Sequence, residues 1–413
     1  MKLIRDPIHG YIEVPDKIVP IISHPFFQRL RHIKQTALAY MVYPGMNHSR
    51  FEHSLGAMHL SLEFLKYVKG NSNLDLDQDT IDLIGVTALL HDIGHMPFSH
   101  TFENALSVAR EVYGLDVLDK GKKTHVYLGI KIIEEVLGSL IEGRLRSSED
   151  PVKFIINVLS ENPKNSSERL AALVISNFID ADRSDYLLRD SYYAGVEYGQ
   201  FDIERLKRFL YFNDGKLAVM DKALPVVEQF LLARMYMFKN VYFHSVVGLY
   251  NAILSHSIAH LLIRGEIRLP EEVTDLLNFD DNLIISKLSS VRQELRNAIL
   301  YRQGFKRIKI EPNEQCLKDL EEMRDEINSD MRSSNGLFLY HEFNDIPYQE
   351  EREEAVYILT PHGVDKLKRI STLIGSLSEV KRVVFGYHPS AETLGRKYLE
   401  ILNSCNKNSL VNF

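Results

Sequence analysis

With 413 residues, 45% of them hydrophobic, the chain is long enough to bury one large core or two ordinary ones. Its net charge of −7 argues against a surface that coats duplex nucleic acid, which needs a dominant basic face, so an anionic ligand would need a locally basic pocket. No stretch approaches the roughly 18 uninterrupted apolar residues of a membrane span, and the opening MKLIRDPIHG turns polar too early for a signal peptide.

In chain order, GYIEV near the N-terminus has the alternation of a short strand. Residues 50 to 68 follow a helical period that puts His53, Leu60 and Phe64 on one side and Leu55, Met58, Leu62 and Leu65 on another, with Gly70 as the stop. A polar loop ending in Asp79 or Thr80 as N-cap leads into IDLIGVTALL, apolar on nearly all faces and therefore an interior helix, with His91 and Asp92 at its end. Pro97 marks the start of a further helix, on which His100 and Glu103 share a face at i, i+3. Residues 168 to 193 read as one helix with Asp182, Tyr186 and Arg189 or Asp190 on one stripe, ended by Gly195.

Pro225 opens the longest pattern, predicted to run to residue 263 with Arg234, Phe238 and Tyr242 at i, i+4 and i+8. The first 265 residues thus read as an all-helical core. EAVYILT and KRVVFGYH are strand-like and separated by a helix-like stretch, so residues 266–413 are expected to form a mixed α/β accessory region packed on that core. The fold class expected is mainly α, with no internal repeat. Two cysteines, Cys316 and Cys405, are too few for a disulfide framework and stand apart from the histidines, so no sulfur chemistry is expected. The compartment expected is the cytoplasm.

The chemistry gathers in LLHDIGHMPFSHTFE. A single histidine in an apolar helix is ordinarily a hydrogen-bonded core residue, but His53, His91, Asp92, His95, His100 and His125 all fall in the first third of the chain, and Asp182 adds an acid on a polar stripe. Burying so many ionisable groups without partners costs several kcal/mol apiece, and a shared metal ion would satisfy them together. His91 and His95 stand four apart like zinc-protease ligands, but that motif needs a glutamate beside the first histidine and an unbroken helix beneath both. Asp92 stands there instead, and Gly94 and Pro97 end the helix.

IRDPIHGYIEV, HPFFQRLRHIKQ, YPGMNHSRFEHSLG, LLHDIGHMPFSHTFE and IDADRSDYLLRD, in this order, resemble the HD-domain phosphohydrolases over about residues 3 to 245. The likeness is greatest to the branch containing the vertebrate deoxynucleoside triphosphohydrolase that also carries a sterile alpha motif. The resemblance implies that His53, His91, Asp92 and Asp182 ligate a divalent ion. Mixed imidazole and carboxylate ligation suits manganese, iron, nickel, zinc or magnesium. It implies that His100 and Glu103 form a proton-transfer pair, that His95 and His125 face phosphate, and that Arg50, Arg183 and Arg234 neutralise a polyphosphate. It further implies that Gln35, Tyr186 and Asp190 contact the sugar, with Tyr242 closing the pocket. Val126 follows His125 where an acid is common in the family, Thr36 stands where a larger apolar residue is expected, and Phe238 replaces a histidine. Lys2, Gln28 and Arg31 match part of the family's regulatory nucleotide site, in which Ser23 replaces an aspartate.

The function expected is hydrolysis of a deoxynucleoside triphosphate to deoxynucleoside and triphosphate. The alternatives are an HD phosphohydrolase or phosphodiesterase on another phosphoester (a signalling nucleotide, a nucleoside monophosphate or a short oligonucleotide) and a nucleotide-sensing protein with a vestigial site. The partners expected are the nucleotide and further copies of the chain in a dimer or tetramer, with no membrane and no stably bound duplex.

Overall fold

Twenty-three residues, Arg50–Ser72, form the long helix α1. Its start is set by Glu52, whose Oε2 accepts the Ser49 backbone N–H at 3.1 Å. The helix runs through Gly70, expected to stop it, and closes on Asn73 in the left-handed region at φ 50°. Tertiary contacts extend that last turn: Asn71 Nδ2 donates to the carbonyls of Arg208 and Leu210, and Ser72 Oγ accepts from Phe212 N. The molecule is a computed structural model describing residues 1–116, 124–146, 149–310, 312–345, 355–377 and 380–408.

Helix α2 (Gln78–Leu90) packs along α1 and is capped by Asp77, which accepts from Thr80 N at 2.7 Å, two or three residues ahead of the expected cap. Every residue from Asp82 to Leu90 is buried, as an apolar segment on all faces requires. Helix α3 (His100–Glu111) begins three residues after Pro97, and α4 is Thr124–Ile132. The single helix expected over 168 to 193 is two, α5 (Ser166–Ile175) and α6 (Ala181–Ala194). Asp180 makes the break: its carboxylate accepts from Asn177 N at 2.6 Å and Arg183 N at 2.5 Å, starting a new helix in continued apolar phase. Gly195, φ 69°, ends α6 as expected.

The first 265 residues are mainly but not wholly helical. Strands β1 (Lys2–Asp6) and β2 (Gly10–Val14) pair antiparallel, and the sequence reading missed a second hairpin, β3 (Leu210–Asn213) and β4 (Lys216–Met220). Asp214 and Gly215 turn it with φ of 49° and 71°, and this Asp-Gly pair is the signal that would have found it. Helix α7 (Leu224–Met237) ends in a wide turn over Phe238–Tyr242, and α8 (Ser245–Ile263) starts afresh with His244 accepting from Val246 N, so the expected continuous helix is interrupted.

By length and mean hydropathy (1.5) α8 could cross a membrane, closer to a span than the sequence reading allowed, but 83% of that window is buried inside the protein. It packs against α3, against α9 (Gln293–Tyr301) and against a sheet ordered β5 (Lys306–Arg307), β9 (Val380–Tyr387), β6 (Phe338–Asp345). A second sheet has the order β3-β4-β7-β8, with β7 Tyr357–Thr360 and β8 Gly363–Lys366. β4 and β7 run parallel with Ala218 opposite Tyr357, so strands from either side of residue 265 share one sheet. Both strand-like runs of the C-terminal region are strands, although Glu354 at the head of the first lies outside the described residues. Contrary to the expectation of no sulfur chemistry, Cys316 on α10 (Glu314–Glu322) is bonded to Cys405 on α11 (Glu392–Asn408), a pairing across 89 residues that no sequence spacing announces.

Two glycines set the closest approaches. A Cβ on Gly56 of α1 would fall on the Asp185 carboxylate of α6, and one on Gly94 would fall on the backbone of His125 and Gly129 of α4. Gly56→Ala should therefore cost about 3 kcal/mol or more, because it overpacks the crossing and displaces a buried ion pair. Gly70→Ala, whose Cβ meets nothing, should be neutral or slightly stabilising. Urea unfolding midpoints of the two variants check both outcomes.

Candidate functional site

Four side chains meet where α1, the end of α2 and the first turn of α6 converge. His53 Nε2 lies 3.0 Å from Asp182 Oδ1 and 3.5 Å from Asp92 Oδ2, and His91 Nε2 lies 3.4 Å from Asp92 Oδ1 and 3.6 Å from Asp182 Oδ1. Each imidazole spends its other nitrogen on a fixed acceptor: His91 Nδ1 on the Ala88 carbonyl at 2.7 Å, His53 Nδ1 on Asp185 Oδ2 at 2.8 Å. That orients each ring and leaves both Nε2 atoms buried and turned toward Asp92 and Asp182, in charge contact with these carboxylates but without a well-formed hydrogen bond among the described residues. His53, His91 and Asp92 bring their ligand atoms close enough to hold a divalent cation, and Asp182 Oδ1 stands beside both imidazoles as a fourth candidate. Burial alone would depress His53, but Asp182 and Asp185 reverse it and lift the group to about 10, because the cluster attracts positive charge. The expected break below the protease-like pair is present, as α2 ends before His91.

Beside this cluster Glu103 on α3 holds two histidines. Its Oε2 meets His100 Nδ1 at 2.8 Å, and its Oε1 meets His125 Nδ1 at 2.9 Å and His125 N at 3.2 Å. Burial would raise Glu103, but hydrogen bonds from His100 and His125 hold it well below the usual carboxylate range. Glu103 thus supplies His125 with the acid that Val126 does not. His95 stacks on His125 with ring centroids 4.1 Å apart and reaches Asp92 Oδ1 at 3.1 Å. Burial, with Arg50 and His125 adding positive charge, keeps His95 neutral.

A polar wall adjoins the cluster. Tyr242 donates to Asp190 Oδ2 at 2.7 Å, and Asp190 Oδ1 meets His48 Nε2 at 2.6 Å. Tyr186 lies 6.5 Å from the His53 ring and 6.2 Å from Tyr242. Gln35 is anchored by its N–H to the His48 carbonyl, with its Oε1 buried and unpartnered. Arg50 bonds Asp92 and, through Nε, Ser99 Oγ at 2.6 Å. Arg183 turns to Asp180 and the Asn177 carbonyl at the head of α6, and Arg234 lies on the Phe238 ring at 4.5 Å. The sequence reading missed His48, Asp185, His9 and Asp6, although NHSRFEH, the Asp182/Asp185 spacing and IRDPIHG all display them.

It also missed how the loop between His91 and His100 is held. Phe98 (φ 54°) and Ser99 (φ 56°, ψ −127°) are consecutive non-glycine residues in conformations costing about 1–3 kcal/mol each. Asp281 offsets this by accepting from Phe98 N at 2.6 Å and Lys34 N at 2.9 Å. Fully buried Arg29 donates to the carbonyls of Ile93, His95 and Phe279. Burial pushes Asp281 up to about 7, against the pull of those two N–H groups. A carboxyl raised above its unfolded value near 4 stabilises the fold most below that pH and loses this contribution as pH rises through about 7. Asp281→Asn should therefore flatten the stability decline between pH 5 and 8 by on the order of 2–4 kcal/mol, measured by urea unfolding across that range.

With this geometry the comparisons agree. An HD domain matches residues 50–189 and an HD associated region matches residues 201–393. MJ1154, an uncharacterized protein of Methanocaldococcus jannaschii, is 33% identical over 389 residues, 91% of this chain and 76% of its own. The deoxynucleoside triphosphate triphosphohydrolase SAMHD1 homolog of Dictyostelium discoideum is 28% identical over 320 residues, 73% of this chain but 59% of its own. The crystal structure of a hypothetical protein from Aquifex aeolicus superposes with a TM-score of 0.79 at 27% identity, covering 97% of this chain and 99% of that one. Histidines and aspartates at the junction of α1, α2 and α6, on a helical core that continues into a mixed C-terminal region, make the chain a member of the HD-domain phosphohydrolases, on the SAMHD1-like branch.

Proposed function

We propose that the chain hydrolyses nucleotides, splitting deoxynucleoside triphosphates into deoxynucleoside and triphosphate. The observation that carries the hydrolytic reading is the pair of buried, unpartnered Nε2 atoms of His53 and His91 facing Asp92 and Asp182. A divalent ion held there supplies Lewis acidity toward water and phosphoryl oxygen. His100 keeps Nδ1 on Glu103, which leaves its Nε2 to exchange a proton, and its side chain is 62% exposed. His125, its Nδ1 held by Glu103, turns its other nitrogen toward the phosphate, and neutral His95, whose Nε2 lies on Asp92, stacks against it. Arg50 stands beside Asp92 to neutralise charge. Gln35, Asp190 and Tyr242 are placed to read a sugar hydroxyl, and Asp190 and burial keep the tyrosine protonated. Names of relatives on this branch support the triphosphohydrolase reading. We further propose a homo-oligomer, dimer or tetramer, working in the cytoplasm.

A second reading, hydrolysis of another phosphoester, is favoured by Arg183 and Arg234, which are turned to Asp180 and Phe238. Product-resolved assays with manganese across all eight common dNTPs and NTPs separate the two. Triphosphate release from at least one dNTP is expected, and its absence from all would leave the second reading. His91→Ala should lose bound metal by elemental analysis together with turnover. Glu103→Gln should lower kcat about 100-fold or more with metal content unchanged.

A further inference from the structure

A cavity of about 400 Å³ opens at the far end of α3, lined by Tyr113, His260, Ile263, Arg264, Arg292 and Asn335. The twelve residues of α3 separate it from His100 by roughly 18 Å, and nothing in the hydrolytic reading uses it. We infer that this cavity binds a phosphoryl dianion, as free phosphate or as the monoester of a small molecule.

Two guanidinium groups face the space. Arg264 is braced by Nη1 on the Ser290 carbonyl at 2.5 Å, and Arg292 by Nε and Nη2 on Glu294 at 3.4 and 3.1 Å. Arg332 stands behind Tyr113 with its Nε on the Val112 carbonyl. Two cations thus line the cavity, and of the described carboxylates only Glu294 is seen to bond either of them, a surplus that a dianion would neutralise. His260 is the second, independent sign of a ligand: it is 7% exposed, lines the cavity, and its Nδ1 has no partner. Burial and the charges of Arg264 and Arg292 push His260 down to about 4, so it enters as a neutral imidazole able to donate one hydrogen bond. Tyr113 is fixed by its hydroxyl on His256 Nδ1 at 2.8 Å, with its ring edge-on to His260 at 4.9 Å. The guanidinium N–H groups that these braces leave over, with the neutral donors of His260 and Asn335 in the same lining, suit the several oxygens of a tetrahedral oxyanion. The volume lies in the range that holds small ligands.

The site stands whether or not the hydrolytic reading does, so its test reads binding rather than turnover. Inorganic phosphate and a 5′-nucleoside monophosphate are titrated calorimetrically into the metal-free full chain and into Arg264→Gln/Arg292→Gln, with thermal unfolding confirming that the variant folds. The expected result is one phosphate-binding site weakened about tenfold or more in the variant. Asn335→Asp, which adds a like charge at the mouth and leaves the core untouched, should weaken it as well. Tighter binding of the monophosphate assigns the occupant to an ester, and equal or weaker binding to free phosphate. Equal affinity in wild type and both variants, or no binding at millimolar phosphate, overturns the inference.

Discussion

The buried carboxylate of Asp185 sets the spacing of the two helices that carry the candidate metal ligands. Its oxygens take His53 Nδ1, His9 Nε2 and both ends of the Arg189 guanidinium, whose Nη1 continues to Asp6. All of these groups are buried, so the network is stable only because every charge has a partner, and removing one would leave another uncompensated. Gly56 makes the arrangement possible by leaving space for the carboxylate against α1. The N-terminal hairpin is therefore tied to the site, since Asp6 and His9, at its turn, orient the helix that presents Asp182.

A second constraint acts from the opposite side. The loop from His91 to His100 brings four side chains of the candidate site, His91, Asp92, His95 and His100, together within ten residues, which a regular helix cannot do. It breaks through Gly94 and Pro97 and bends sharply at Phe98 and Ser99. Ser99 then serves both neighbours, accepting from Arg50 and donating to the Lys34 carbonyl. The stabilising contacts come from Arg29, Phe279 and Asp281, so residues beyond 265 contribute to the geometry of a candidate site whose named side chains all precede that position.

What the sequence made legible and what it hid follow from the range of the interactions. His53, His91, Asp92, Asp182 and the His100/Glu103 pair were readable because helical phase and motif order fix each locally, and the structure brings all of them together. Asp281 was not, because nothing in residues 34 and 98 names a partner 247 and 183 positions away. The breaks at 176–180 and at His244 were hidden because apolar phase continues across them while Asp180 and His244 cap new helices. Arg183 is a different case: Asp180 stands three residues before it on the same turn, a pairing the sequence displays, yet the phosphate expectation passed over it.

The two halves of the candidate site differ in their access to water, and that difference suits them to the separate tasks proposed for them. His53 is 1% exposed and fixed through Nδ1 on Asp185, which suits a candidate ligand whose geometry has to persist. His100, held through one nitrogen by the same kind of carboxylate contact, has a side chain 62% exposed and can exchange its proton with solvent between turnovers. Glu103, itself nearly sealed, anchors this exposed histidine and the more buried His125 at once. A single carboxylate on the first turn of α3 thus couples the position of His100 to that of His125. That coupling compensates for the acid this chain lacks after His125.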